Sequence, residues 1–281
     1  MTKGRLGMIV CPMLEDETIY NLENDKEEKR IYLVKGAYNT TIIPKLKQHH
    51  IEYTMIDEAT VFRGDYDHNG YTIIIWTMFI GLHEDIDMLK MEVMNQIVKI
   101  HKVVDTILLY YGRCGRGLDT ICDWAYEMIP TPVCIFRNRD GSICDDCICV
   151  PVGGTDRYLK LLRKYPGRFY FTPAMASNFE NFLMSMELFN GMDIKNEELM
   201  RMIIDMAGYT TVMRMQTGNG DQEHFDENIK VFADKYGLKT TELEDGWATN
   251  DLVDLNYDNA KTTMTHWLEE GKKERVIPNV E

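Results

Sequence analysis

Five short apolar runs dominate the first half of the chain: RLGMIV at 5–10, YTMI at 53–56, YTIIIWTMF at 71–79, DTILLYY at 105–111 and PVCIF at 132–136. Several are apolar without alternation, as strands are when both faces of a parallel sheet are covered. Between them, DIDMLKMEVMNQIVKIHKVV at 85–104 and LDTICDWAYEMI at 118–129 place apolar residues at helical spacing. This alternation predicts a doubly wound, Rossmann-like α/β fold with a mostly parallel sheet and right-handed crossovers. The second half repeats the scheme more loosely. RFYFT at 168–172, YTTVMRMQ at 209–216 and KTTELE at 239–244 read as strands, with helices near 177–207 and 222–236 and a last helix near 258–271. No low-complexity linker interrupts the chain, so the pattern reads as two lobes: residues 1–173, and a smaller α/β part at 174–281 packed on the first. The boundary, near 174–192, reads as a crossover rather than a tether.

Composition narrows the class. A chain of 281 residues can bury a sizeable core without covalent staples. The net charge of −14 excludes nucleic acid as a partner, because such binding draws on Lys and Arg neutralising phosphates. No apolar run approaches the roughly 20 residues that span a bilayer, and no secretory leader opens the sequence, which excludes the membrane and predicts a cytoplasmic protein. Seven cysteines are an odd number, and in a reducing compartment a cysteine cluster points to a metal or redox site rather than a disulfide framework. The 19 methionines are scattered and read as pliable core filling. An acidic surface with apolar strands allows a homodimer.

The cysteines gain meaning from their places. Cys11 follows the first strand, Cys114 follows the strand at 105–111, and Cys147 lies in the loop GSICDDCICV beyond the strand at 132–136. Loops after parallel strands share one edge of the sheet, where α/β proteins bind ligands, so the three sulfurs should converge there around a small-molecule substrate. His83, in FIGLHEDID, follows the strand at 71–79 and offers a fourth ligand, with Glu84 or Asp85 as acceptor for its other ring nitrogen. Three sulfurs and an imidazole match tetrahedral zinc; three sulfurs alone match a [4Fe-4S] cluster with one open iron. Cys122 and Cys134 fall inside a helix and a strand and read as core. Cys144, Cys147 and Cys149 form C-x-x-C-x-C, but a self-contained site needs a second such knuckle. His68, His101 and His224 fall on polar faces and read as solvated.

The stretch YYGRCGRGLD, 110–119, surrounds Cys114 with Gly112, Gly115 and Gly117. The spacing is G-x-x-G-x-G, which is not the dinucleotide fingerprint, and no Walker lysine follows. Its glycines serve a tight turn or bring bare backbone N–H groups to a cofactor or anion at a helix N-terminus. That setting would lower the Cys114 pKa and allow a cysteine nucleophile with His83 as its base. Gly218 and Gly220 mark a second turn of the same kind.

ILLYYGRCGRGLD, IGLHEDIDML and DDCICVPVGGTDRYLK, together with VCPMLEDE, PGRFYFTP and HFDENIKVFADKYGLKTTELE, resemble the motifs of the family catalogued as domain of unknown function 1638. The resemblance spans most of the chain, and the family's recurrent polar positions fall on Cys11, His83, Cys114 and Cys147. The chain departs from the pattern at TPAMAS, where the family carries a tryptophan, and at the insertion NRDGSICD. The resemblance implies an association with corrinoid-dependent methyltransferases in the one-carbon metabolism and methanogenesis of anaerobes, hence a corrinoid protein or methyltransferase as partner. Three readings follow: a metal-site enzyme or methyl-transfer component, a non-catalytic accessory protein that binds or delivers a metal or corrinoid, and the Cys114 nucleophile.

Overall fold

The computed structural model describes residues 2–79, 85–184, 187–189, 192 and 195–271. Its main sheet has six strands: β1 (Gly4–Val10), β2 (Arg30–Val34), β3 (Thr54–Ile56), β4 (Tyr71–Thr77), β5 (Thr106–Tyr110) and β6 (Val133–Ile135). They lie in the order β3-β2-β4-β1-β5-β6, and every pairing is parallel. The doubly wound α/β fold predicted from the hydrophobic pattern is the fold observed. The order differs from the dinucleotide-binding order 3-2-1-4-5-6 by exchange of β1 and β4.

Connections running towards β3 place α1 (Glu15–Asn24) and α2 (Ile42–Gln48) on one face. Those running towards β6 place α3 (Glu58–Arg63), α4 (Ile86–Ile100) and α5 (Ile121–Met128) on the other. Side chains of β1 divide accordingly. Leu6, Met8 and Val10 join Ile19 and Leu22 of α1, whereas Ile9 and then Cys11 join Val93 and Ile97 of α4. Each fully buried aliphatic side chain contributes about 1.5–3 kcal/mol.

The remaining elements are α6 (Thr155–Lys164), β7 (Arg168–Phe171), α7 (Pro173–Ser177), α8 (Phe179–Met184), α9 (Glu197–Met206), β8 (Thr211–Arg214), α10 (Gln222–Tyr236), β9 (Lys239–Glu242) and α11 (Asp251–Glu269). Strands β7, β8 and β9 form a separate three-stranded parallel sheet. That sheet starts at Arg168, ahead of the boundary expected after residue 173. Helix α11 returns to the first sheet, packing on β5, β1, β6 and α1. There the Tyr257 and Tyr71 hydroxyls meet at 2.9 Å and Lys261 pairs with Asp25 at 3.1 Å. Helix α7 rests on α1 and on the short 3-10 turn Pro12–Leu14, and one apolar cluster runs from Cys11 and Cys114 to Phe171 and Phe232. The smaller sheet is therefore joined to the larger one through the ground just beyond β1. Among the described residues, no helix is long and apolar enough to cross a membrane.

Candidate thiol site at the strand ends

Strands β1 and β5 are neighbours whose connections leave in opposite directions, α1 towards β2 and α5 towards β6. A crevice opens at such a switch point. Cys11 is the first residue after β1, and its amide donates to the Tyr110 carbonyl at the end of β5, 3.4 Å away. Its own carbonyl accepts from Leu14 N–H at 2.9 Å, which starts the turn into α1. Proline at 12 suits that turn, since it fixes φ and gives up a donor that the first turn does not need.

After β5 the chain does not enter a helix at once. Cys114, Gly115 and Arg116 have φ of 45°, 63° and 76°, three consecutive residues in the left-handed region, and α5 begins only at Ile121. The expected helix N-terminus at Cys114 is thus replaced by a left-handed turn, and with it goes the expected lowering of the thiol pKa. A non-glycine residue held there is strained by about 1–3 kcal/mol, and the surrounding contacts maintain it. Arg113 N–H donates to Cys144 O at 2.8 Å, and Leu118 N–H donates back to Arg113 O at 3.1 Å.

The three glycines of the turn have separate local causes. A Cβ on Gly112 would sit 2.7 Å from Cys144 O and 2.9 Å from the Asp146 carbonyl carbon, so glycine lets the 144–149 loop lie directly on the strand end. Ile86, the first residue of α4, covers both Gly115 and Gly117, within 3.1 Å and 2.9 Å of where their Cβ atoms would be. Packing and backbone conformation account for all three without a bound cofactor.

Cys11 and Cys114 belong to the apolar cluster under α4, and Cys147 packs against it from the 144–149 loop. Their ionisation is linked. Burial raises each thiol, pushing Cys11 up to about 12 and Cys114 and Cys147 well above the ordinary thiol range. After burial, Cys11 and Asp146 raise Cys114, while Asp146, Cys114 and Cys11 raise Cys147. No cation is among the leading influences on any of the three. Near pH 7 the trio is neutral.

Tyr111 and Asp146, which the spacing argument did not select, complete the pocket. Tyr111 is buried, and its phenol is raised by burial and then by the neighbouring Cys11 and Cys114 thiols, the Cys11 side chain also engaging its hydroxyl. Asp146 is raised by burial, and the Cys149 N–H donates to its Oδ1 at 3.0 Å. Position alone would have found Tyr111, as the residue directly after β5; nothing in DDCIC marks Asp146 as half-buried.

Of the remaining cysteines in that loop, Cys149 still raises the Cys114 and Cys147 thiols. Cys144 and Cys149 are buried in the opposite cluster, where the Cys144 thiol faces Asn138 Oδ1 at 3.7 Å and Thr155 Oγ1 faces Cys149 Sγ at 3.8 Å. His83 and Glu84 lie outside the described residues. Asp85 caps α4, its Oδ1 accepting from Asp87 N–H at 3.0 Å and Met88 N–H at 2.9 Å. None of the seven cysteines forms a disulfide. Among the described residues, no three His, Cys, Asp or Glu side chains are already arranged to hold a metal ion.

A family model described as a protein of unknown function, DUF1638, matches residues 77–250. The chain belongs to the DUF1638 family. No curated protein and no solved structure matches it. The DUF1638 match runs from the end of β4 through the Cys114 turn, the Cys147 loop and the second sheet, and Cys11 lies outside it. The crevice of this DUF1638 protein thus pairs two thiols from the matched region with one supplied by β1. Soft thiols in apolar surroundings beside a buried phenol suit a thiophilic metal by donor chemistry. His83, the base of the Cys114 nucleophile reading, lies outside the described residues.

Proposed function

We propose that this DUF1638 protein binds a thiolate-ligated metal, zinc or a [4Fe-4S] cluster, through Cys11, Cys114 and Cys147, with His83 as the further ligand. In this reading it acts in the cytoplasm in corrinoid-linked one-carbon metabolism, as an enzyme or methyl-transfer component. The observation that carries the metal reading is three neighbouring thiols held protonated by burial beside the buried Tyr111 hydroxyl. The one-carbon setting rests on the family resemblance. Bound zinc supplies Lewis acidity at a thiolate centre, and a cluster supplies an open iron or a route for electrons.

The chain's own residues have definable tasks. The three sulfurs would hold the metal as thiolates, and the Tyr111 hydroxyl beside Cys11 would donate to a thiolate sulfur. Asp146, whose own carboxyl is raised by burial, lies beside Cys114 and Cys147 and raises both thiols. The left-handed turn fixes the Cys114 sulfur in the pocket, and the loop resting on Gly112 fixes Cys147. An accessory protein that delivers a metal or corrinoid would use the same ligands.

Anaerobic purification followed by metal analysis and an absorption spectrum tests the reading. It requires stoichiometric zinc, or iron with sulfide and a brown colour, retained by the wild type and lost in Cys114→Ser. Metal-free protein that takes up neither would refute it. A chain that binds the metal yet supports no methyl transfer with corrinoid partners would be assigned to the accessory role.

A further inference from the structure

One strand away from the thiols, a cavity of about 500 Å³ opens at the carboxyl ends of β2 and β4, bounded by α4 and the loop after β2. Its volume lies within the range typical of small-molecule sites, roughly 300–1,000 Å³. Trp76, near the end of β4, lines it. Trp76 is 95% buried, since its relative exposure is 5%, and its indole N–H has no hydrogen-bond partner among the described residues. Gln96 of α4 lines the same cavity and also has a buried side-chain nitrogen with no partner among the described residues. A buried donor left unsatisfied is uncommon in folded proteins, and two in one cavity point to an acceptor that arrives from outside.

The walls define the rest of the ligand. Tyr38 and Phe79, both about half exposed, stand with ring centroids 5.2 Å apart at the mouth, and Met78 and Met88 add thioether surface. Lys35 pairs with Asp57 at 3.1 Å and Lys99 with Glu58 at 2.6 Å, which leaves the Glu92 carboxylate as the further charged group of the lining. That charge disfavours an anionic ligand. Aromatic and thioether walls favour a flat ring, and the indole N–H calls for a carbonyl oxygen or ring nitrogen.

We propose that this cavity is a binding site for an uncharged, planar heteroaromatic carbonyl compound, held by the Trp76 indole N–H and the Gln96 amide and stacked against Tyr38 and Phe79. The site does not depend on the metal reading. It shares no ligand residue with the thiol trio, although Met78 N–H donates to Val10 O at 2.9 Å and so joins the two along neighbouring strand ends.

The test is titration of the full chain with lumazine, a bicyclic heteroaromatic dione, followed by the indole N–H resonances in a proton–nitrogen NMR spectrum. The chain has four tryptophans, and the resonance missing in Trp76→Phe identifies Trp76. Lumazine should shift that resonance saturably. Naphthalene, a flat ring system without an acceptor, should bind at least about tenfold more weakly, because it leaves the site's donors unpaired. Gln96→Ala and Tyr38→Ala should each weaken lumazine severalfold; Tyr38 is exposed, so its variant keeps the fold. A Trp76 resonance that lumazine does not move would overturn the proposal, as it would if the Gln96 amide rotates to accept from Trp76 internally. Equal affinity for naphthalene would overturn it too. Repeating the titration in Cys114→Ser separates the two sites, since lumazine binding should survive loss of the thiol.

Discussion

The Cys11 amide donates to the Tyr110 carbonyl across 3.4 Å, so the first residue beyond β1 is tied to the last residue of β5. That bond extends the β1–β5 ladder past the end of β1, where the two chains diverge. Their cysteines are thereby brought to one crevice, Cys11 directly and Cys114 four residues further along. The location of the thiols follows from strand order rather than from any local motif.

Cys114 should tolerate glycine better than alanine. At φ 45° an L-residue pays about 1–2 kcal/mol that glycine does not. Urea unfolding should find Cys114→Gly more stable than Cys114→Ala by about 1 kcal/mol, with metal binding lost in both. Equal stabilities would mean that the turn carries no strain.

Gly112→Ala should act at a distance in sequence. Its Cβ would meet backbone atoms of Cys144 and Asp146, which cannot rotate away, so the 144–149 loop must shift. We expect destabilisation of about 1–3 kcal/mol and weaker metal binding through displaced Cys147. Thermal unfolding and zinc titration check this; an unchanged zinc affinity would separate Cys147 from the site.

Glu17 predicts a pH dependence. Burial, and then Asp16, push its carboxyl up to about 8, in a buried group that includes Glu15, Asp16 and Lys45. Between the ordinary carboxylate range and about pH 8, the folded chain keeps a proton that the unfolded chain has lost. Stability from this group therefore falls as pH rises through that window, by at most about 1.4 kcal/mol per pH unit. Glu17→Gln, which mimics the protonated acid, should flatten the stability profile and exceed the wild type at pH 8. A variant less stable than the wild type at pH 8 would show that the folded chain holds Glu17 ionised.

Metal entry should release protons. All three thiols are held protonated chiefly by burial, so zinc uptake near pH 7.5 should liberate close to three protons per chain, measured with an indicator in weak buffer. Release of none would place the metal elsewhere.

How much of this was legible in the sequence varies by element. Unbroken apolar runs marked β4 and β5, and helical spacing marked α10 at its observed bounds, 222–236. Strand β2, RIYLV, gave no such signal: it is five residues long and follows the charged stretch NDKEEKR. Helix α1 was hidden because its first turn, Glu15-Asp16-Glu17, is acidic yet buried, the reverse of an amphipathic pattern. Helix α6 also escaped, although its TDRYLKLLRK spacing is amphipathic. Sheet membership was unreadable for β7, because pairing with β8 and β9 is decided by contacts distant in sequence. Cys11, Cys114 and Cys147 could be placed by strand ends alone. The left-handed path at Cys114 and the half-burial of Asp146 could not, since both depend on how the 144–149 loop lies on Gly112.

X-ray absorption at the K-edge of whichever metal copurifies anaerobically tests the central claim most directly. The account predicts a sulfur-dominated shell, with three sulfurs and one nitrogen around zinc, Zn–S about 2.3 Å, or iron–sulfur scattering with neighbouring irons, and its loss in Cys11→Ser as well as Cys114→Ser. A shell of oxygen and nitrogen alone, or a sulfur shell unchanged by both substitutions, would contradict it.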